Sequence, residues 1–172
     1  MQKDFSYPLK IDELSQKEQR YALKADKAQL AVIKDILKVE DVKSFEADII
    51  LKLSRKAHRL DIEGEVRALI ELKSVISLEN FERLYCVPFA YYYDTQMTYQ
   101  DWQEMDFGLS DDAPEIIENG RIDLGAVALE QLALVLEDYP RQEGENFEFV
   151  SEFDDETTKR ANPFTVLEKL KK

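Results

Sequence analysis

By residue type, two runs of neighbouring carboxylates are the best equipped for general acid–base or divalent-metal chemistry: Asp111–Asp112 and Asp154–Asp155–Glu156. Such chemistry needs a carboxylate whose pKa is moved by burial or by a close like charge inside a cleft. Both runs lie in polar, loop-like sequence, so they are expected to form a solvated acidic surface. Weak association with Mg²⁺ or Ca²⁺ is the most they imply, because the Asp-rich loop with a central glycine that makes a calcium site specific is missing. His58 and Cys86 are the sole histidine and cysteine, so one chain cannot assemble a His–His or His–Cys ligand set. His58, beside Arg59, reads as a surface residue of a basic turn. Cys86, between Tyr85 and Val87, reads as a structural thiol with no basic neighbour to lower its pKa. The glycines at 64, 108, 120, 125 and 144 are scattered and form no phosphate-cradling loop. No catalytic residue, metal ligand or cofactor is assigned, and a binding protein is expected in place of an enzyme. A divalent-ion-dependent hydrolase or nuclease is the alternative, and it rests on the acid runs alone.

Charge is the more informative property. Between Asp94 and Glu156 there are nineteen Asp and Glu against two bases, Arg121 and Arg141. Residues 1–93 balance sixteen acids with sixteen bases, and the whole chain carries −13. A segment this acidic repels phosphate backbones and attracts basic surfaces. Asp106, Asp111, Asp112, Glu115, Asp154 and Asp155 are therefore the expected contacts for a basic partner. One feature opposes the acidic field: Lys52, Arg55, Lys56 and Arg59 gather with His58 and no acid. They are the expected contacts for RNA phosphates, with Tyr91, Tyr92 and Tyr93 as stacking faces.

These residues need elements to hold them. Phe45, Ala47, Ile49, Leu51 and Leu53 alternate with mostly polar neighbours, and Leu60, Ile62, Gly64, Val66, Ala68, Ile70 and Leu72 do the same. The short connector at 55–57 predicts an antiparallel hairpin with the basic cluster at its tip. Runs at 74–78 and 83–93 are expected to extend the sheet, with Pro88 marking an edge or a bulge. Asp26 is placed to cap a helix carrying Leu30, Ile33 and Leu37. A longer, largely buried helix is predicted from Ile122 to Asp138, capped by Asp123 and stopped by Pro140.

The expected fold is α+β: a twisted antiparallel sheet of about four to six strands packed by one long buried helix and a smaller one. At 172 residues the chain suits a single domain. That domain is expected over residues 1–140, including an acidic loop at about 94–118, with a polar, loosely attached tail at 141–172. Charges interrupt the N-terminal stretch and every apolar run is short, so neither export nor membrane insertion is expected, and the lone cysteine fits a cytoplasmic setting.

Four segments, in order, resemble the YceD family of large-ribosomal-RNA accumulation proteins: FSYPLKIDELS, the hairpin ending KSVISLENF, IDLGAVALEQLALVLEDYPR and NPFTVLEKLKK. The third is the most specific, through Ile122, Asp123, Leu124, Glu130, Tyr139, Pro140 and Arg141. Many members place a cysteine at the position similar to Ser74, sometimes with a second nearby, where this chain has Ser74 and Ser77. No cysteine or metal role in the family carries over here. The helix exit reads Glu137–Asp138–Tyr139 where members more often have a proline before the tyrosine. The resemblance implies a bacterial or organellar-type cytoplasmic protein needed for large-subunit rRNA accumulation, with no established catalytic residues. Charge then makes a basic ribosomal protein or assembly factor the expected partner, with direct rRNA contact at the hairpin tip as a second mode; an acidic adaptor for a non-ribosomal protein is a further alternative.

Overall fold

Alternation with a period of two fixes the centre of the molecule. In the computed structural model, which describes residues 4–104 and 113–146, the alternating segments form β3 (Asp41–Ser54) and β4 (Arg59–Lys73). They pair antiparallel from Asp41↔Glu71 to Ser54↔Arg59, with one register shift between Val42 and Ser44. A strand with a two-residue repeat must send one set of side chains to each face. Phe45, Ile49, Leu51, Leu60, Ile62, Val66 and Ile70 accordingly share a face and are almost fully buried.

β5 (Asn80–Asp94) pairs antiparallel with β4 along its whole length, and β2 (Gln19–Lys24) pairs with β3 on the other side. A short β6 (Glu115–Ile116) adds to β5 in parallel, so the five-stranded sheet β2-β3-β4-β5-β6 is mixed where an all-antiparallel one was expected. Pro88 sits opposite Glu65 without a break in register. Among the described residues, β5 has a second neighbour only at Tyr93 and Asp94, so Pro88 occupies edge strand, as its missing N–H requires. The run at 74–78 is not a strand. It forms the turn between β4 and β5, where the buried Ser74 Oγ accepts from the N–H groups of Ile76 and Ser77 at 3.1 and 3.3 Å. That hydroxyl satisfies the backbone within the turn, which leaves the segment no need for a ladder partner.

Two helices cover the apolar face. α1 (Lys27–Leu37) begins in a capping box: Asp26 accepts from Ala28 and Gln29 N–H at 2.9 Å, and Gln29 returns a bond to Asp26 N–H. α3 (Leu124–Ala133) buries Leu124, Val127, Ala128 and Leu132. The predicted helix to Asp138 is thus cut short: after Ala133 the chain turns, and Leu134, Val135 and Tyr139 are exposed. The apolar period continues past the residues that the sheet has room to cover.

α2 (Tyr99–Glu104) lies in the stretch expected to be a plain acidic loop. A second, two-stranded sheet joins β1 (Pro8–Lys10) to β7 (Arg121–Asp123) antiparallel. The opposite face of the five-stranded sheet is polar, with Arg67 pairing to Asp48 and Glu65 and Lys43 bridging Asp41 and Glu71. Water screens these exposed pairs, so they set register more than stability. By internal contacts the chain divides into Met1–Gln142 and Glu143–Lys172; of the second unit, 143–146 are described.

Candidate functional site

The hairpin tip places its basic residues unequally. The turn 55–58 joins β3 to β4, and His58 closes it with a φ of 50°. Lys52, Arg55, Lys56 and Arg59 are all exposed. Arg55 turns back toward the N-terminal segment, where its guanidinium donates to the carbonyls of Asp12 (3.0 Å) and Leu14 (3.3 Å). Arg59 donates to Asp61 at 2.6 Å and lies 3.9 Å over the ring of Tyr92. Lys52 and Lys56 make no ion pair within the described residues, so two of the four cations are uncommitted.

Strand register brings Tyr92 beside these cations. Asp61 pairs with Lys52 on one side and with Tyr92 on the other, which puts all three on the polar face. There they border an open groove of about 800 Å³ together with Glu18, Arg59 and Glu63. Tyr91 and Tyr93 instead point into the apolar face, with their hydroxyls 3.2 Å apart. Burial raises both phenols above the usual tyrosine value, and both rings pack against the core, so they act as core, not as stacking faces. Glu18 and Glu63 were missed in the sequence because only the register of three strands shows that they line this groove.

The acidic segment is partly used to shape itself. Asp94 accepts from the N–H groups of Gln96 and Met97, both at 2.8 Å. Asp101 accepts from Thr98 N–H at 3.0 Å and from its hydroxyl at 2.6 Å, which holds the Asp101 carboxyl below its usual range. The Trp102 indole donates to the Pro114 carbonyl at 3.2 Å, tying α2 to the approach of β6. Glu115 is exposed in β6. Asp106, Asp111, Asp112, Asp154 and Asp155 lie outside the described residues. Within those residues, no group of three or more His, Cys, Asp or Glu is placed to hold a metal ion.

The motif residues divide by position on α3. Asp123 is at its N-terminus, where the carboxylate accepts from Gly125 N–H (2.9 Å) and Ala126 N–H (3.3 Å). The same carboxylate accepts from Tyr7 N–H at 2.7 Å and from the Ser6 hydroxyl, so one side chain caps a helix and binds the segment that leads into β1. Burial would raise its pKa, but these four donors outweigh it and the group is held below the usual aspartate range. Gly125 makes the approach possible: a Cβ there would lie 2.4 Å from the Phe5 carbonyl oxygen. Ser6 and Gly125 were not singled out in the sequence, since neither bears a signal without the fold.

At the other end, Glu130 and Tyr139 are exposed. The Pro140 carbonyl accepts from Val75 N–H at 3.0 Å, and the Arg141 carbonyl from Arg83 at 2.7 Å. The backbone of this exit thereby closes on the β4–β5 turn. Among the described residues no helix is long and apolar enough to cross a membrane.

The family model for large ribosomal RNA subunit accumulation protein YceD matches residues 62–171. No curated protein and no solved structure matches the chain. The matched span is more than half of the chain and holds β4 from Ile62 onward, β5, α3 and the Tyr139–Arg141 exit, while FSYPLKIDELS precedes it. Asp123 itself and the exit that closes on the β4–β5 turn fall inside that span, and the chain belongs to the large ribosomal RNA subunit accumulation protein YceD family.

Proposed function

We propose that this protein is a non-enzymatic factor that supports large-subunit ribosomal RNA accumulation or ribosome assembly by binding a basic ribosomal protein or assembly factor. Family membership carries the reading, and the family's name supplies the biological role. The mode of action follows from charge. Nineteen acids against two bases between Asp94 and Glu156 would gather counterions at an RNA backbone but release them at a basic protein. Asp106, Asp111, Asp112, Glu115, Asp154 and Asp155 are the proposed contacts. Depletion of the protein should lower large-subunit rRNA and large particles relative to small ones in gradient profiles; unchanged profiles refute the proposal.

A second mode is direct RNA contact at the hairpin tip. It is supported by the uncommitted Lys52 and Lys56 and by the Arg59–Tyr92 stack on the same face. Crosslinks from RNA to residues 52–59 are expected, and they should disappear in a Lys52→Glu, Lys56→Glu variant. Crosslinks elsewhere, or none, remove this mode and leave the first intact.

A further inference from the structure

The C-terminal ends of α1 and α3 do not close over the sheet. Between them lies an open groove of about 570 Å³, floored by Leu72 at the end of β4 and walled by Ile36, Leu37, Leu129 and Leu136. That volume is on the scale of binding clefts. Ile36 is 56% exposed at its edge, and Leu134, at 73%, follows on the same turn of chain that forms the wall. The exposed Ile36 beside the partly buried Leu37, Leu129 and Leu136 gives one depression an apolar lining, which marks an interaction surface.

The rim of the groove names the occupant. Glu40, Glu130, Glu137 and Asp138 stand around it against Lys38 and Lys73. Glu137 is held by Arg83 at 2.5 Å, so Glu40, Glu130 and Asp138 are the acids without an ion pair among the described residues. An apolar floor with an acidic rim complements a helix that carries leucine-like residues at i, i+3, i+4 and i+7 and lysine or arginine beside them.

We infer that this groove is the docking site for a basic amphipathic helix of the partner protein. The inference rests on the reading that the protein binds a basic partner, and it moves the energetic centre of that contact from the acidic loops to the α1–α3 groove. The loops then steer the encounter, while the buried leucine-like anchors supply most of the affinity.

Two fluorescein-labelled peptides test this on the full chain by anisotropy: one with leucines at i, i+3, i+4 and i+7 and lysines elsewhere, and one with glutamates in place of the lysines. The lysine peptide should bind and the glutamate peptide should not. Ile36→Asp is decisive, because it adds a negative charge at an exposed position: binding by charge alone would tighten, whereas binding in the groove should weaken about tenfold. Glu130→Lys with Asp138→Lys, also exposed, should weaken it by a similar factor. Tighter or unchanged binding by Ile36→Asp overturns the groove while leaving binding by acidic loops, and the depletion phenotype, untouched. Failure of both peptides to bind overturns it as well. Dissociation of a dimer by Ile36→Asp in sedimentation would assign the groove to a second copy and overturn it too.

Discussion

The two ends of α3 are built on opposite rules. At the N-terminus, Asp123 satisfies four donors and Gly125 admits a backbone within contact distance, so polar groups are saturated and space is filled. At the C-terminus, Leu134, Val135 and Tyr139 stand in water beside an open groove. The helix thus spends its first turn on the fold and still buries Leu132 in its last, and it is the segment just past Ala133 that stands in water. Residues of a single sequence motif, from Ile122 to Arg141, therefore have different reasons to be there, and a motif match alone does not separate them.

Substitutions graded along α3 should make that contrast measurable. Leu132→Ala, at a fully buried position in the last turn of α3, should cost about 3 kcal/mol in urea unfolding. Gly125→Ala should cost about 2 kcal/mol even though alanine favours helix, because its Cβ would meet the Phe5 backbone; a gain in stability would mean that the first strand is not held there.

Asp123→Ala should cost about 1–2 kcal/mol. Its pH dependence has a definite sign. The folded-state pKa lies below the ordinary 3.8, so the stabilisation is present above that value and is lost as pH falls through the depressed one. The stability gap between the native chain and Asp123→Asn should accordingly narrow only below about pH 4. A gap independent of pH would show that the carboxylate's charge has no part in the clasp. Leu134→Ser, at an exposed position, should change stability by less than about 0.5 kcal/mol. A large loss of stability there would erase the contrast between the two ends.

The parts of the fold that were legible are those governed by local periodicity. The hairpin from Phe45 to Leu72 and the helix after Asp26 follow from repeats and a cap that a few residues contain in full. The end of α3 was not legible, because Leu134 to Leu136 continue the apolar repeat and only the extent of the sheet beneath decides whether they are covered. Ser74 to Leu78 read as strand by residue type, but a serine hydroxyl bonding within the turn overrode that preference. In the hairpin tip the charges were visible and their commitments were not. Arg55 is engaged by carbonyls some forty residues earlier in the chain, a partner that no local window contains.

The Asp123 clasp also has a consequence for how the chain reaches its structure. Ser6 and Asp123 are 117 residues apart, and β1 has β7 as its strand partner. Closing so long a loop is slow relative to hairpin formation, so the β3–β4 pair can form early while the first strand waits. During synthesis the N-terminal strand leaves the ribosome first and yet cannot dock until α3 has emerged. Through that interval Phe5 lacks its backbone contact with Gly125, and the apolar face that α3 will cover stands open. The vulnerable period of this protein's birth is therefore set by the distance along the chain between Ser6 and Asp123.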